Sequence, residues 1–346
     1  ESKYLSGVST YATLKDGGYN NTNDNLFDAV FTLKATDIVK GLTLSATYSP
    51  HYQQTNQDIF AKTVPMYSFV KASGTFAQNA WVNSSNSVNK ARTTQTSYTT
   101  NLLAEYGKSL GEHHFRALGG FQFQSYDYSR LTGIQTNLIN NNLATVNYTT
   151  NATLPVTALS DNLQANTWVS YFGRINYDYA NKYFLEGTVR QDASSRLAPG
   201  HRSQAFPAVS AAWRISQESW FADSRLINEL KLRASWGKLG NAQLGQLYEN
   251  NYLSVPVLIN GVYPFNNAAT TYIYQRDLPS EALGWETVAT TELGLDFSLL
   301  KNRLSGSFSV YKRVNDNMLI PVNLPGVLGV TPSTANAAAM ETKGWD

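Results

Sequence analysis

Tyr171-Phe172-Gly173-Arg174-Ile175-Asn176-Tyr177-Asp178-Tyr179 is the stretch that decides the fold. Arg174, Asn176 and Asp178 fall on one side of an extended chain. Gly173, Ile175, Tyr177 and Tyr179 fall on the other. Strict alternation over this length is the signature of a strand with two chemically different faces. The pattern resumes over 183–192, after the short break at 180–182. Working outward, it recurs at 27–35, 42–49, 96–106, 115–123, 206–215, 230–237, 287–299 and 304–312. Ten or so such segments, with no long amphipathic helix, predict an all-β chain.

The segments are long for a globular sheet, whose strands usually run about 5–6 residues. A tilted strand that crosses a bilayer needs about 9–11. The connections alternate in length. Those at 36–41, 108–112, 180–182 and 300–302 are short, and those at about 52–93, 131–166, 241–286 and 314–342 are long. Long structureless loops are uncommon in compact domains. Here they fall on every second connection, so they emerge from one end. That is the layout of a transmembrane antiparallel β-barrel with short periplasmic turns and long extracellular loops. Aromatic residues gather near strand ends, among them Tyr171, Tyr177, Tyr179, Tyr183, Trp213, Trp220, Trp236 and Trp285, as barrel girdles do. A soluble β-sandwich of the lectin kind would instead use these rings as a core and would partition into water without detergent.

Composition narrows the function. Charged residues are 15% of the 346, against about 25% in soluble chains, and aromatics reach 12%. Disorder is excluded by the aromatics. A net charge of +2 with no basic stripe argues against nucleic-acid binding. No run of 18 apolar residues exists, so no helix is expected to span a membrane. Cys is 0, which removes disulfides and thiolate chemistry and suits an oxidising, extracytoplasmic compartment. The chain opens at Glu1 and stops at Asp346, where 343–346 reads as the start of another strand, so a fragment of a longer protein is expected.

No catalytic, cofactor or metal site is expected. Of the four histidines, His113 and His114 are adjacent and point to opposite faces of a strand, and no pair has helical spacing. There is no G-x-S-x-G elbow. Gly107-Lys108-Ser109 resembles the end of a phosphate-binding loop, but Leu102 stands where its first glycine belongs. Asp16, Asp24 and Asp28 lack calcium-loop spacing. The long loops are instead rich in Asn, Thr, Ser and Tyr. Such neutral polar groups with interleaved rings suit hydrogen-bonding ligands such as sugars or peptide backbones.

Several stretches resemble the SusC/RagA-like family of TonB-linked outer-membrane transporters of Bacteroidota. They are 171–179, the run from Lys182 to Arg196, Phe206-Pro207-Ala208-Val209-Ser210-Ala211-Ala212-Trp213-Arg214, and Leu230-Lys231-Leu232-Arg233-Ala234-Ser235-Trp236-Gly237-Lys238-Leu239-Gly240-Asn241. Leu283-Gly284-Trp285-Glu286 and the lead-in to Trp345 follow in the same order. The chain departs from the family's Asp-Gly-Ser-Ser-Arg-Phe-like run at Asp192-Ala193-Ser194-Ser195-Arg196-Leu197, a change expected to affect only an extracellular turn. These motifs mark strands and turns and do not read a substrate.

The resemblance implies a 22-stranded barrel, of which residues 1–346 would supply about 10–12 strands and could not close alone. The plug, the TonB-contacting segment and the terminal strands would lie outside the chain. It further implies TonB-dependent import of an oligosaccharide or peptide, a SusD-like surface lipoprotein as lid, and a dimer of such pairs in the outer membrane. The alternatives are a passive porin, which needs no plug, and a structural or adhesive surface barrel. Candidate substrate contacts are the loop aromatics Trp81, Tyr248, Tyr252, Tyr263, Tyr272 and Tyr274. Arg174, Arg190, Arg214, Arg233 and Glu292 are expected to face the lumen and to pair with a plug or with one another.

Overall fold

A computed structural model describes residues 4–5, 10–150, 158–221, 226–242, 258–265, 268–275, 279–322, 325, 327 and 334–346. The strands in chain order are β1 (Tyr4–Leu5), β2 (Gly18–Asp28), β3 (Phe31–Thr36), β4 (Leu42–Ala61), β5 (Pro65–Val70), β6 (Thr75–Trp81), β7 (Ser87–Leu110), β8 (His113–Thr136) and β9 (Ala158–Tyr179). They continue as β10 (Tyr183–Ser194), β11 (Ser203–Arg214), β12 (Ile227–Asn241), β13 (Leu258–Phe265), β14 (Ala268–Gln275), β15 (Glu286–Leu299), β16 (Leu304–Pro321) and β17 (Thr334–Trp345). Helix takes the form of α1 (Thr10–Asp16) and two 3₁₀ turns, Ile215–Gln217 and Ser219–Phe221.

The main sheet runs β17-β16-β15-β12-β11-β10-β9-β8-β7-β4-β2, with β3 also on β4. Neighbours in it pair antiparallel wherever their register is resolved, as between β10 and β11 or β15 and β16. β2 and β3 lie end to end on β4, pairing Asp28 with His51 and Phe31 with Tyr48. The sheet is open, with β2 and β17 as its edges.

Two compact units divide the chain. Unit 1 comprises residues 1–29, 50–97 and 126–165. Unit 2 comprises 30–49, 98–125 and 166–346. Unit 1 carries β2 with parts of β4, β7, β8 and β9, and a small sheet β1-β5-β6. Its α1 docks Ala12 onto Val64 and Met66, and a second cluster joins Phe60, Val88 and Leu138. Asn141 fastens the 137–150 segment there: its side chain accepts from the Thr63 and Asn86 amide groups at 3.2 Å and donates to the Thr63 carbonyl at 2.8 Å.

Unit 2 holds the wall predicted by the alternation. Its register places Leu185 opposite Tyr177 and Ala211, Gly187 opposite Ile175 and Val209, and Ala234 opposite Ala211 and Leu293. Because side chains at paired positions share a face, this is one continuous apolar surface. The opposite parity pairs Glu186 with Asn176 and Ser210, Arg233 with Ala212, and Glu292 with Ser235. The tight turns use left-handed backbone at Asp37, at Ala180-Asn181 and at Leu300-Lys301-Asn302.

Two sequence expectations are corrected. The stretches read as long loops contain much strand: β4 continues to Ala61, β8 to Thr136 and β16 to Pro321, and β5, β6, β13 and β14 lie inside them. Their Asn- and Thr-rich faces do not alternate in hydrophobicity, so period two is invisible there. Residues 343–345 do not start a strand but belong to β17, which begins at Thr334.

Candidate functional site

The polar face of unit 2 forms a cleft of about 990 Å³, lined by side chains that include Arg174, Asp178, Glu186, Lys231, Arg233 and Glu292. Part of its charge is paired. Arg233 donates to Glu292 at 2.6 Å and to Asp296 at 3.3 Å. Nearby on the same face, Arg214 grips Glu229 through two bonds of 2.8 and 3.0 Å. Arg190 reaches Asp192 at 2.7 Å, Gln122 at 2.7 Å and Ser170 at 2.8 Å, with its guanidinium over the Phe172 ring. Asn176 donates to Glu186. Arg174 forms no ion pair among the described residues, and Asp178 Oδ1 is sealed from solvent without a partner. Of the five charged residues expected to pair with a plug or with one another, Arg233 and Glu292 pair with each other, whereas Arg190 and Arg214 pair with other acids of the chain.

The candidate ligand aromatics divide. Trp81 stands exposed at the end of β6 in unit 1, paired in register with Pro65. Tyr248 and Tyr252 lie outside the described residues. Tyr263, Tyr272 and Tyr274 come together on the β13–β14 hairpin of unit 2. Register pairs Tyr274 with Ile259, Tyr272 with Gly261, and Tyr263 with Thr270, so all three tyrosines share one face. The rings of Tyr272 and Tyr274 stack at 5.3 Å. Gly261 makes this possible, because a Cβ there would lie 2.6 Å from the Tyr272 ring. Phe265 lies on the same face and is exposed, a member the sequence reading missed. The period-two run Gly261-Tyr263-Phe265 was its only signal. The described hairpin contains no charged residue.

The connection that carries this hairpin is anchored at both ends. Ala242, Leu283 and Trp285 join Leu197 and Phe206 in a buried cluster, with Trp168 and Leu319 against it. The Trp285 ring meets Trp168 and Phe206 edge-on at 5.4 and 5.3 Å, and its Nε1 donates to the Arg202 carbonyl at 3.0 Å. Leu197 is 1% exposed here, so the departure noted at 192–197 fills a core position as well as ending a turn. Gly240 is obligatory for packing, since any Cβ would fall 1.9 Å from the Phe206 ring. Of the stretches that carry the family resemblance, those at 206–214 and 283–286 supply Phe206, Leu283 and Trp285 to this cluster.

At the short-turn end, rings on the apolar face form a row. His113 meets Tyr179 at 4.8 Å, Tyr179 meets Tyr183 at 6.3 Å, and Tyr183 meets Trp213 at 6.4 Å. Glu218 ties the row to the β11–β12 connection, accepting from Tyr183 Oη at 2.6 Å and Trp213 Nε1 at 3.0 Å, with Lys182 Nζ at 3.6 Å. The Tyr183 bond, then the Trp213 bond, hold the Glu218 carboxyl below the usual carboxylate range. Along β9, Tyr171 to Tyr179 spans eight residues, about 26 Å of strand at ~3.3 Å per residue. Tilted by about 40°, that covers roughly 20 Å, close to the ~25 Å apolar band of an outer-membrane barrel.

Comparison with known proteins gives a consistent result. The family described as TonB dependent receptor-like, beta-barrel, matches residues 2–346. TonB-dependent receptor P39 of Formosa agariphila is 30% identical over 331 residues, which is 94% of this chain and 29% of that protein. TonB-dependent receptor SusC of Bacteroides thetaiotaomicron is 36% identical over 187 residues, 52% of this chain and 18% of SusC. The RagAB peptide importer in its closed-closed state superposes with a TM-score of 0.81 at 22% identity, over 96% of this chain and 34% of that one, a likeness of fold. The chain therefore spans about a third or less of these relatives' length.

Proposed function

The chain belongs to the TonB dependent receptor-like β-barrel family, and from that premise we propose that the whole protein imports a nutrient across the outer membrane with energy delivered through TonB. The family is one of outer-membrane receptors and transporters. The wall accordingly stands in the outer membrane, with its apolar face to lipid and its charged face to the lumen.

Residues 1–346 are read as part of one barrel domain of about 22 strands. The relatives' greater length leaves room for the plug, the TonB-contacting segment and the remaining strands. The cargo is an oligosaccharide or a peptide; RagAB, whose fold this chain shares, is a peptide importer. A SusD-like lipoprotein lids the barrel, and two such pairs associate. Ligand is captured between lid and loops, TonB remodels the plug, and the ligand crosses the lumen. Trp81, Tyr248, Tyr252, Tyr263, Tyr272 and Tyr274, joined by Phe265, are the proposed ligand contacts. Rings with hydroxyls and no charge match neutral ligands that offer both apolar faces and hydrogen-bonding groups.

The observation that carries this reading is the two-faced wall matched to the family along nearly the whole chain. The test is purification of the full-length protein from outer membranes in mild detergent, followed by mass spectrometry of what accompanies it. A surface lipoprotein with bound oligosaccharide or peptide is the expected result. A barrel that comes away alone, with no plug in its peptide map, would leave a porin or a surface scaffold.

A further inference from the structure

The short turns of unit 2 form a single rim. Backbone hydrogen bonds stitch them in sequence: Gly107 N to Gly41 O at 2.9 Å, Ala180 N to Glu112 O at 2.8 Å, Arg214 N to Lys182 O at 2.8 Å, and Leu300 N to Leu226 O at 2.9 Å. Every connection of this rim but the one at 180–182 carries a large apolar side chain where turn chemistry calls for polar ones. Ile38 and Val39 are exposed in the first turn and Leu110 in the second. Trp220 is 66% exposed on the 3₁₀ turn after β11, and Leu300 is exposed between β15 and β16. A turn that faces bulk water gains nothing from these residues.

Beside them stand cations. Lys40, Lys108, Lys301 and Arg303 are exposed and form no ion pair among the described residues. Lys182 is already engaged by Glu218. Of the rim's other acids, Asp37 caps its own turn by accepting from Gly41 N at 3.2 Å, and Glu112 is exposed. Among the described residues of the rim, these four cations thus outnumber the acids left to face them.

We infer that this rim is an amphipathic collar that holds anionic glycerophospholipid headgroups of the leaflet it faces. Three observations carry it. The rim continues the apolar, lipid-facing side of the wall through the row from His113 to Trp213. Its apolar tips are placed to enter the acyl boundary while lysine and arginine stems reach the phosphates. Its free charge is complementary to an anionic headgroup. The short-turn end of such a barrel faces the periplasm, where the leaflet is phospholipid. The collar depends on the wall's placement in the outer membrane and is independent of cargo, lid and TonB.

The test uses the full-length protein in nanodiscs of equal phosphatidylglycerol and phosphatidylethanolamine, with retained lipid counted by native mass spectrometry. Phosphatidylglycerol should be retained preferentially, by a factor of about five for each cation engaged. The preference should fall when salt is raised. The combined variant Lys40→Gln, Lys108→Gln, Lys301→Gln and Arg303→Gln should lose it, and Lys40→Arg with Lys108→Arg and Lys301→Arg should keep it. Heat-modifiable gel mobility shows that each variant remains a folded barrel. Should the combined variant not fold, brominated phosphatidylglycerol on the wild type decides: it should quench the emission that Trp220→Phe removes. Equal retention of the two lipids, a combined variant with unchanged preference, retention of lipid A in their place, or absence of quenching would each overturn the collar.

Discussion

The wall around β9–β12 and the β13–β14 hairpin are built alike and stabilised differently. Both are antiparallel, and both place rings on one face. In the wall each strand has two neighbours, and the 11 residues 183–193 of β10 pair with both β9 and β11. The hairpin's register is confined to its own two strands. An isolated two-stranded hairpin is marginal in water. The connection that contains it is anchored at Ala242 on one side and at Leu283 and Trp285 on the other. The wall is a sheet paired on both sides of its inner strands, whereas the hairpin presents exposed rings outside that sheet.

Trp285→Ala should break the comparison most severely. It removes a ring that is 5% exposed, two edge-on aromatic contacts and the bond to the Arg202 carbonyl. The loss should be about 3–5 kcal/mol, as for other buried aromatic truncations. In the full-length protein, denaturant unfolding followed by gel mobility would measure it. Limited proteolysis should show cleavage between β12 and β15 before the wall is cut. Uniform proteolysis would mean that the cluster does not anchor the hairpin.

A charge placed at matched positions sharpens the contrast. Leu185→Arg puts a cation on the lipid face of β10 and should cost about 2–4 kcal/mol if it lies near the bilayer midplane. Val262→Arg, on the exposed aliphatic face of β13, should change stability by less than about 0.5 kcal/mol. Both are read from the midpoint of barrel unfolding. Similar costs at the two sites would deny the wall its lipid contact.

Much of this architecture is legible in the sequence where two solvents meet one strand. Between lipid and lumen, alternate residues must differ in polarity, so 171–179 and 183–192 announce both strand and face. Beyond the bilayer both faces of a strand meet polar surroundings. Gly18–Asp28 is then nearly all polar, and β2 carries no period. The cluster at Trp285 was equally hidden. Its members Leu197, Phe206, Ala242 and Leu283 come from four separate stretches, and only the fold brings them together. The tyrosines of the hairpin were singled out by type alone. What united Tyr263, Tyr272 and Tyr274 was the register set by a pairing no local pattern encodes, and the space left at Gly261.

Tyr272→Ala separates capture from support. Tyr272 is exposed, and its main partner is the stacked Tyr274 ring. Stability should stay within about 0.5 kcal/mol of the parent. Binding of the co-purified ligand to the full-length protein, measured by calorimetry, should weaken about threefold to tenfold, the range of one lost ring contact. Unchanged affinity would remove the hairpin from the ligand site and leave it as loop packing.

Protonation of Glu218 should be the gentlest perturbation, and its sign is fixed. The Tyr183 and Trp213 bonds lower the carboxyl's pKa in the folded protein. A lowered folded value means that the ionised form is favoured by folding. The contribution is therefore present at neutral pH, above the unfolded carboxylate pKa, and is lost as pH falls through the lower folded value. Glu218→Gln removes the charge at all pH. Thermal unfolding of the parent and the variant should therefore differ at pH 7 and converge in acid below the usual carboxylate range. The hairpin has no charged residue in its described strands and supplies the internal control: the pH dependence of its proteolysis should be the same in both proteins. A parent–variant difference that persists unchanged into acid would show that Glu218 ties the aromatic row by shape alone. Its convergence would show that the row at the wall's rim is held by a charge, as the rings of the hairpin are not.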